Sequence, residues 1–201
     1  MSLSTSEILK AIVLRTTKYS ESDLVVTVLT EQGVKVSMMA RGALKSKKRF
    51  GGGLLEPTHF LKLTVRYKSE RQGLGLIEDA SLLEGFEELR SDYDKIQTAF
   101  WVLDLFLRSA QEDGVQEQGQ FLLLGHGLRT LSKSSDLQKF KIHFGLRFLY
   151  LHGILEVESW METFLKAPMN QALPQDLSIN PGALFWVENK IESFLQSGSV
   201  S

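Results

Sequence analysis

Apolar and cationic positions alternate from residue 60 to residue 68. Leu61, Leu63, Val65 and Tyr67 fall on one side, and Lys62, Thr64, Arg66 and Lys68 on the other. A period of two predicts a half-buried antiparallel strand, here with a basic outer surface. Residues 34–41 alternate in the same way, with Val34, Val36 and Met38 opposed to Lys35, Ser37, Met39 and Arg41. Residues 24–30 (LVVTVLT) are almost continuously apolar, which predicts a strand buried on both faces. A strand over 8–17 sets Ile12 and Leu14 against Ala11, Val13 and Arg15, and a short fifth strand is predicted over 73–77. The polar run 18–23 and the triplet Glu31-Gln32-Gly33 supply the intervening turns.

From residue 82 the period changes. Ile96, Ala99, Phe100, Leu103, Phe106, Leu107 and Ala110 recur at steps of three and four, the mark of an amphipathic helix. Phe121, Leu124, Leu128 and Leu131 predict a second helix. Asp136 is placed to cap a third, with Leu137, Phe140, Phe144, Phe148 and Leu151 as its core face and His152-Gly153 as its end. Residues 158–178 are weakly patterned and predict an irregular excursion. Asn180-Pro181 predicts the cap and first turn of a last helix carrying Leu184, Val187, Ile191, Phe194 and Leu195, with a frayed tail over 197–201. The chain is therefore read as α+β: a small β-barrel over residues 1–81 and an α-helical domain over 82–201. Five short strands with one long connection suit a closed or partly open barrel, and the oligonucleotide-binding fold is the first candidate.

That long connection carries the densest charge in the chain. Arg41, Lys45, Lys47, Lys48 and Arg49 fall within nine residues, followed by Gly51, Gly52 and Gly53, with Glu56 the one acid of the stretch. Such a run is either a solvated loop or an electrostatic footprint for phosphates. Net charge is only −1 over 201 residues, but it is unevenly spread. Residues 1–80 hold 13 Lys/Arg against 8 Asp/Glu, and the remainder holds 10 against 16, so two modules with different partners are implied.

Composition excludes several chemistries. With no cysteine there is no disulfide, thiolate zinc site or cysteine nucleophile. The four histidines show no metal-ligand spacing, and His143, between Lys139 and Arg147, is expected on a helix surface. Gly51-Gly52-Gly53 lacks the following Gly-Lys-Ser/Thr of a phosphate loop, and Gly73-Leu74-Gly75 lacks a third glycine. No carboxylate pair stands out. A non-enzymatic protein without cofactor or metal is expected, and a cytoplasmic one, since no apolar run reaches the length of a membrane span and no secretory signal is visible. Phe50 and Phe60 lie near the barrel cations, where rings can stack unpaired bases, although a phenylalanine in a barrel more often belongs to the core. On the third helix Lys139, His143 and Arg147 stack at one-turn spacing beside Phe140, Phe144 and Phe148. That row is either a solvated face or the cationic rim of a groove for an acidic, aromatic-ended peptide.

The order of motifs resembles the bacterial DNA repair and recombination mediator family RecO. The resemblance is carried by Ala11-Ile12-Val13-Leu14-Arg15, then Tyr19-Ser20-Glu21-Ser22-Asp23-Leu24-Val25-Val26 and Leu29-Thr30-Glu31-Gln32-Gly33. It continues through Ala40-Arg41-Gly42-Ala43-Leu44-Lys45-Ser46-Lys47, Phe50-Gly51 and Leu55-Glu56-Pro57. It implies an oligonucleotide-binding barrel on a helical domain that binds single- and double-stranded DNA, anneals single strands and helps load the recombinase. Implied partners are RecR and the acidic C-terminal tail of single-stranded-DNA-binding protein. DNA contact is expected from Lys35, Arg41, Lys45, Lys47, Lys48, Arg49, Lys62 and Arg66, and the tail from Arg129, Lys139, Lys141, Phe144 and Arg147. Many members carry a four-cysteine zinc finger after the third helix, which residues 156–181 cannot form. A general RNA-binding protein and a protein scaffold are the alternatives.

Overall fold

The computed structural model describes residues 5–67, 74–110, 117–171, 173–174 and 177–197. Strands β1 (Thr5–Lys18), β2 (Leu24–Thr30), β3 (Lys35–Ala40), β4 (Phe60–Tyr67) and β5 (Gly75–Glu84) come first. Helices α1 (Glu87–Arg90), α2 (Tyr93–Ser109), α3 (Gln118–Lys133), α4 (Leu137–Leu151), α5 (Glu162–Lys166) and α6 (Ala183–Ser197) follow, with a 3₁₀ turn at Ser159–Met161. The described residues form two compact units. One holds residues up to Gly85 with Ala110 and 117–121, and the other holds Phe86–Ser109 and Leu122 onward. Lys68, Gly73 and the tail 198–201 lie outside the described residues.

In the first unit β1 pairs antiparallel with β2 and β4, β2 with β3, and β4 with β5. A short parallel contact, Met38↔Gly75 and Met39↔Leu76, joins β3 to β5 and closes the barrel in the order β1-β2-β3-β5-β4. Alternation acts as expected in β4, where Leu61, Leu63 and Val65 are buried and Lys62 and Arg66 are exposed. The continuous run in β2 is buried from Val26 to Thr30, so both of its faces are covered. β5 departs from expectation by continuing past Ile77 to Glu84. Glu78, Asp79 and Ser81 disfavour a strand locally, but β4 supplies backbone partners as far as Leu61↔Leu82 and Phe60↔Glu84.

The second unit is built on α4. Its Phe140, Phe144, Phe148 and Leu149 are buried, with Phe144 stacked on Phe140 at 5.7 Å and edge-on to Phe106 at 6.3 Å. Asp136 caps the helix by accepting the Lys139 N–H at 2.8 Å, and Gly153 (φ +68°) follows its end. Gly145 lets α6 approach, since a Cβ there would collide with Val187. Two features differ from the sequence pattern. The excursion over 158–178 contains the 3₁₀ turn and α5, too short to show a helical period. The last helix begins at Ala183 rather than Pro181, because Gly182 (φ +87°) is left-handed and interrupts the turn. Among the described residues no helix is long and apolar enough to cross a membrane.

Candidate nucleic-acid interface and peptide groove

Residues 41–59 connect β3 to β4, and they are fixed at both ends. At the start, Asp23 Oδ1 accepts the Gly42 N–H at 2.8 Å and the Ser22 carbonyl accepts the Leu44 N–H at 3.0 Å. The Gly42 N–H holds the Asp23 carboxyl below its usual range against the cost of burial, with lesser help from the Ser20 and Ser22 hydroxyls and the Arg41 charge. At the far end, Thr16 Oγ1 donates to the Leu55 carbonyl at 2.6 Å and the Thr58 N–H donates to the Val13 carbonyl at 2.9 Å. Between them Ala43, Phe50 and Leu55 are buried in the barrel core. The connector is a lid on the barrel, not a tether.

This anchoring leaves Arg41, Lys45, Lys47, Lys48 and Arg49 exposed. Arg49 also reaches back, donating to the Arg41 carbonyl at 3.3 Å and lying 5.2 Å from the Phe50 ring centre. Phe50 and Phe60 do not form an aromatic platform. Phe50 is spent on the core, and Phe60 is half-buried, edge-on to Phe121 at 5.6 Å.

The strand cations are placed unequally. Lys62 on β4 is exposed and directly opposite Lys10 on β1, which is exposed too. Like charges facing across a ladder are unfavourable alone and are relieved by a bound polyanion. Lys10, overlooked in the sequence, was marked only by its place in the β1 alternation, and it also lies 4.0 Å from Glu31. Arg66 is engaged by Glu78 at 2.8 Å, so its charge is largely compensated. Lys35 sits half-buried on β3 opposite Leu29.

In the second unit Arg129, Lys133, Lys139, Phe140, Asn170 and Gln171 line a groove of about 550 Å³. Arg129 and Lys139 are among the residues the sequence suggests for a peptide site; Lys133, one turn after Arg129 on α3, is not. The other expected residues point elsewhere. Lys141 pairs with Glu188 of α6 at 3.3 Å and lies 5.4 Å from the Trp101 ring centre. Phe144 is fully buried in the aromatic core and cannot receive a ligand ring. Arg147 donates to the carbonyls of Leu165 at 2.8 Å and Ala167 at 3.2 Å, tying down α5.

His143 corrects the sequence expectation most sharply. It is 2% exposed, not on the helix surface, and its Nε2 lies 3.0 Å from the Ala167 carbonyl. An apolar helix face, not the flanking Lys139 and Arg147, decides its place. Burial first, and the Arg147 charge also, push its pKa below the ordinary histidine value.

Among the described residues no group of three His, Asp or Glu side chains is placed to hold a metal ion. The four-thiolate zinc set of finger-bearing relatives does not fit a chain without cysteine.

The family model described as recombination protein O N terminal matches residues 1–86. The chain is similar to proteins named DNA repair protein RecO. One from Exiguobacterium sp. is 35% identical over 146 residues, covering 73% of this chain and 57% of the relative. One from Anaeromyxobacter sp. (strain K) is 45% identical over 97 residues, 48% of this chain and 37% of the relative. One from Syntrophus aciditrophicus is 31% identical over 172 residues, 86% of this chain and 65% of the relative. The chain thus spans less than two thirds of the length of these curated relatives.

Proposed function

Because this chain belongs to the RecO family of DNA repair proteins, we propose that it is a non-catalytic recombination mediator whose barrel binds DNA through the β3–β4 connector. The observation that carries the proposal is the connector itself. Five exposed cations, Arg41, Lys45, Lys47, Lys48 and Arg49, project from a backbone that Ala43, Phe50 and Leu55 root in the core. Pre-ordering the backbone lowers the entropy lost on binding, while flexible lysine stems adapt to successive phosphates and release counterions. Lys62 and Lys10 extend the basic surface over β4 and β1, Lys35 is a secondary contributor, and Arg66 contributes once a phosphate competes with Glu78. Such a surface neutralises two strands as readily as one, which favours annealing of complementary single strands and binding of duplex as well.

The helical unit is proposed to hold the acidic tail of single-stranded-DNA-binding protein in the α3–α4 groove. Arg129, Lys133 and Lys139 supply cations for its carboxylates, and Phe140 supplies an apolar contact for a terminal ring. Held there, the coating protein would be kept beside the strand while the recombinase is loaded, with RecR as the further partner carried by family membership. A protein acting on DNA in this way would be cytoplasmic, and at the nucleoid when bound. Annealing of two complementary labelled strands tests the proposal. The 201-residue chain should accelerate it, and Lys45→Ala/Lys47→Ala/Lys48→Ala should not. Equal rates with and without the wild-type chain would contradict it.

A further inference from the structure

Under the connector lies a pocket of about 620 Å³. Its walls are apolar, with Leu24, Leu44, Leu55 and Pro57 among them, and Lys45 and Lys47 also line it. Leu44 is 51% exposed although Ala43, Phe50 and Leu55 of the same connector are drawn into the core. Glu56 is the acid of this otherwise basic stretch, and it lines the same pocket. Its carboxylate stands against Gly53, so close that a Cβ at that position would collide with Oε1. Gly53 is also left-handed (φ +73°), so glycine is required there twice over. An apolar wall, two cations and one carboxylate match the parts of a nucleotide: a flat base, its phosphates and a hydrogen-bonding edge.

We propose that this pocket takes an unstacked base of the bound strand and that Glu56 is a specificity-determining residue favouring bases with an exocyclic amino group over thymine and uracil. The proposal rests on strand binding at the connector. An ionised carboxylate only accepts hydrogen bonds. Cytosine, adenine and guanine each offer it an amino group. Thymine and uracil offer a single N–H set between two carbonyl oxygens, and those oxygens repel the carboxylate. Lys45 and Lys47 meet the adjoining phosphates and carry no base preference.

Oligomers of deoxycytidine and deoxyuridine, 15 nucleotides long and end-labelled, isolate this difference because the two bases differ in size and stacking very little. Fluorescence anisotropy with the full chain at one salt concentration should show the cytidine oligomer bound about fivefold tighter. Glu56→Ala should bring the ratio to about one and strengthen uridine binding, since a negative charge near the phosphates is gone. Glu56→Gln keeps one carbonyl acceptor and should retain an intermediate ratio. Lys45→Ala/Lys47→Ala should weaken both oligomers by the same factor and keep the ratio. A wild-type ratio of one, or a ratio that survives in folded Glu56→Ala, would overturn the base pocket and leave strand binding standing. Failure of both oligomers to bind would overturn strand binding, and the pocket with it.

Discussion

Asp23 holds the basic connector at its start through one hydrogen bond from Gly42 N–H. Asp23→Ala should free the segment around Lys45 and Lys47, and limited trypsin digestion should then cut there several times faster than in the wild type. An unchanged cleavage rate would mean the far-end bonds from Thr16 and Thr58 suffice. His143 makes the opposite use of a polar group, since it is buried neutral against the Ala167 carbonyl. Its folded pKa is lowered, so the folded state resists the proton that the unfolded chain accepts near pH 6.5. Stability from this site is complete above that pH and falls as pH is lowered toward the folded value. Comparing thermal midpoints at pH 7.5 and 5.5 should show a larger drop for wild type than for His143→Gln. Equal drops would mean that His143 takes up its proton without cost. Phe144, touching Phe140, Trp101 and Phe106, is structural. Phe144→Ala should cost about 3–5 kcal/mol in denaturant unfolding.

The elements were unequally legible. Strand β4 and helices α2, α3 and α4 could be read because many residues repeat one period, β2 because its apolar run is almost unbroken, and Asp136 and Gly153 mark the ends of α4. The connector could not be read as a lid. Ala43, Phe50 and Leu55 have no common spacing, and their burial is set by the barrel mouth rather than by any local pattern. α5 escaped for the same reason, being fixed by Arg147 from α4 and too short to show a stripe. At the groove the sequence located α4 correctly but could not say which way each cation turned, and the structure divides them. Lys139→Ala should weaken binding of an acidic, phenylalanine-ended peptide while leaving the melting temperature unchanged. Arg147→Ala should lower the melting temperature, because the Leu165 carbonyl near α5 loses its side-chain donor and the Ala167 carbonyl keeps only His143. Equal peptide affinity for wild type and Lys139→Ala, with both folded, would place the peptide elsewhere.

For the molecule as a whole, net charge says nothing, and its distribution says a great deal. The acidic excess lies in the residues after 80 and the basic excess before them, so the total of −1 conceals a cationic barrel. On the proposed function this barrel binds strands by neutralising phosphates with the cations of an anchored connector. The slope of log affinity against log salt measures that directly, at about 0.7 per phosphate contact for a single strand. A 30-nucleotide single strand titrated at several salt concentrations should give a steep slope for the wild-type chain. The Lys45→Ala/Lys47→Ala/Lys48→Ala variant should bind more weakly and lose about two units of that slope. If the folded variant keeps both the wild-type slope and the wild-type affinity, the connector is merely solvated and does not bind the strand.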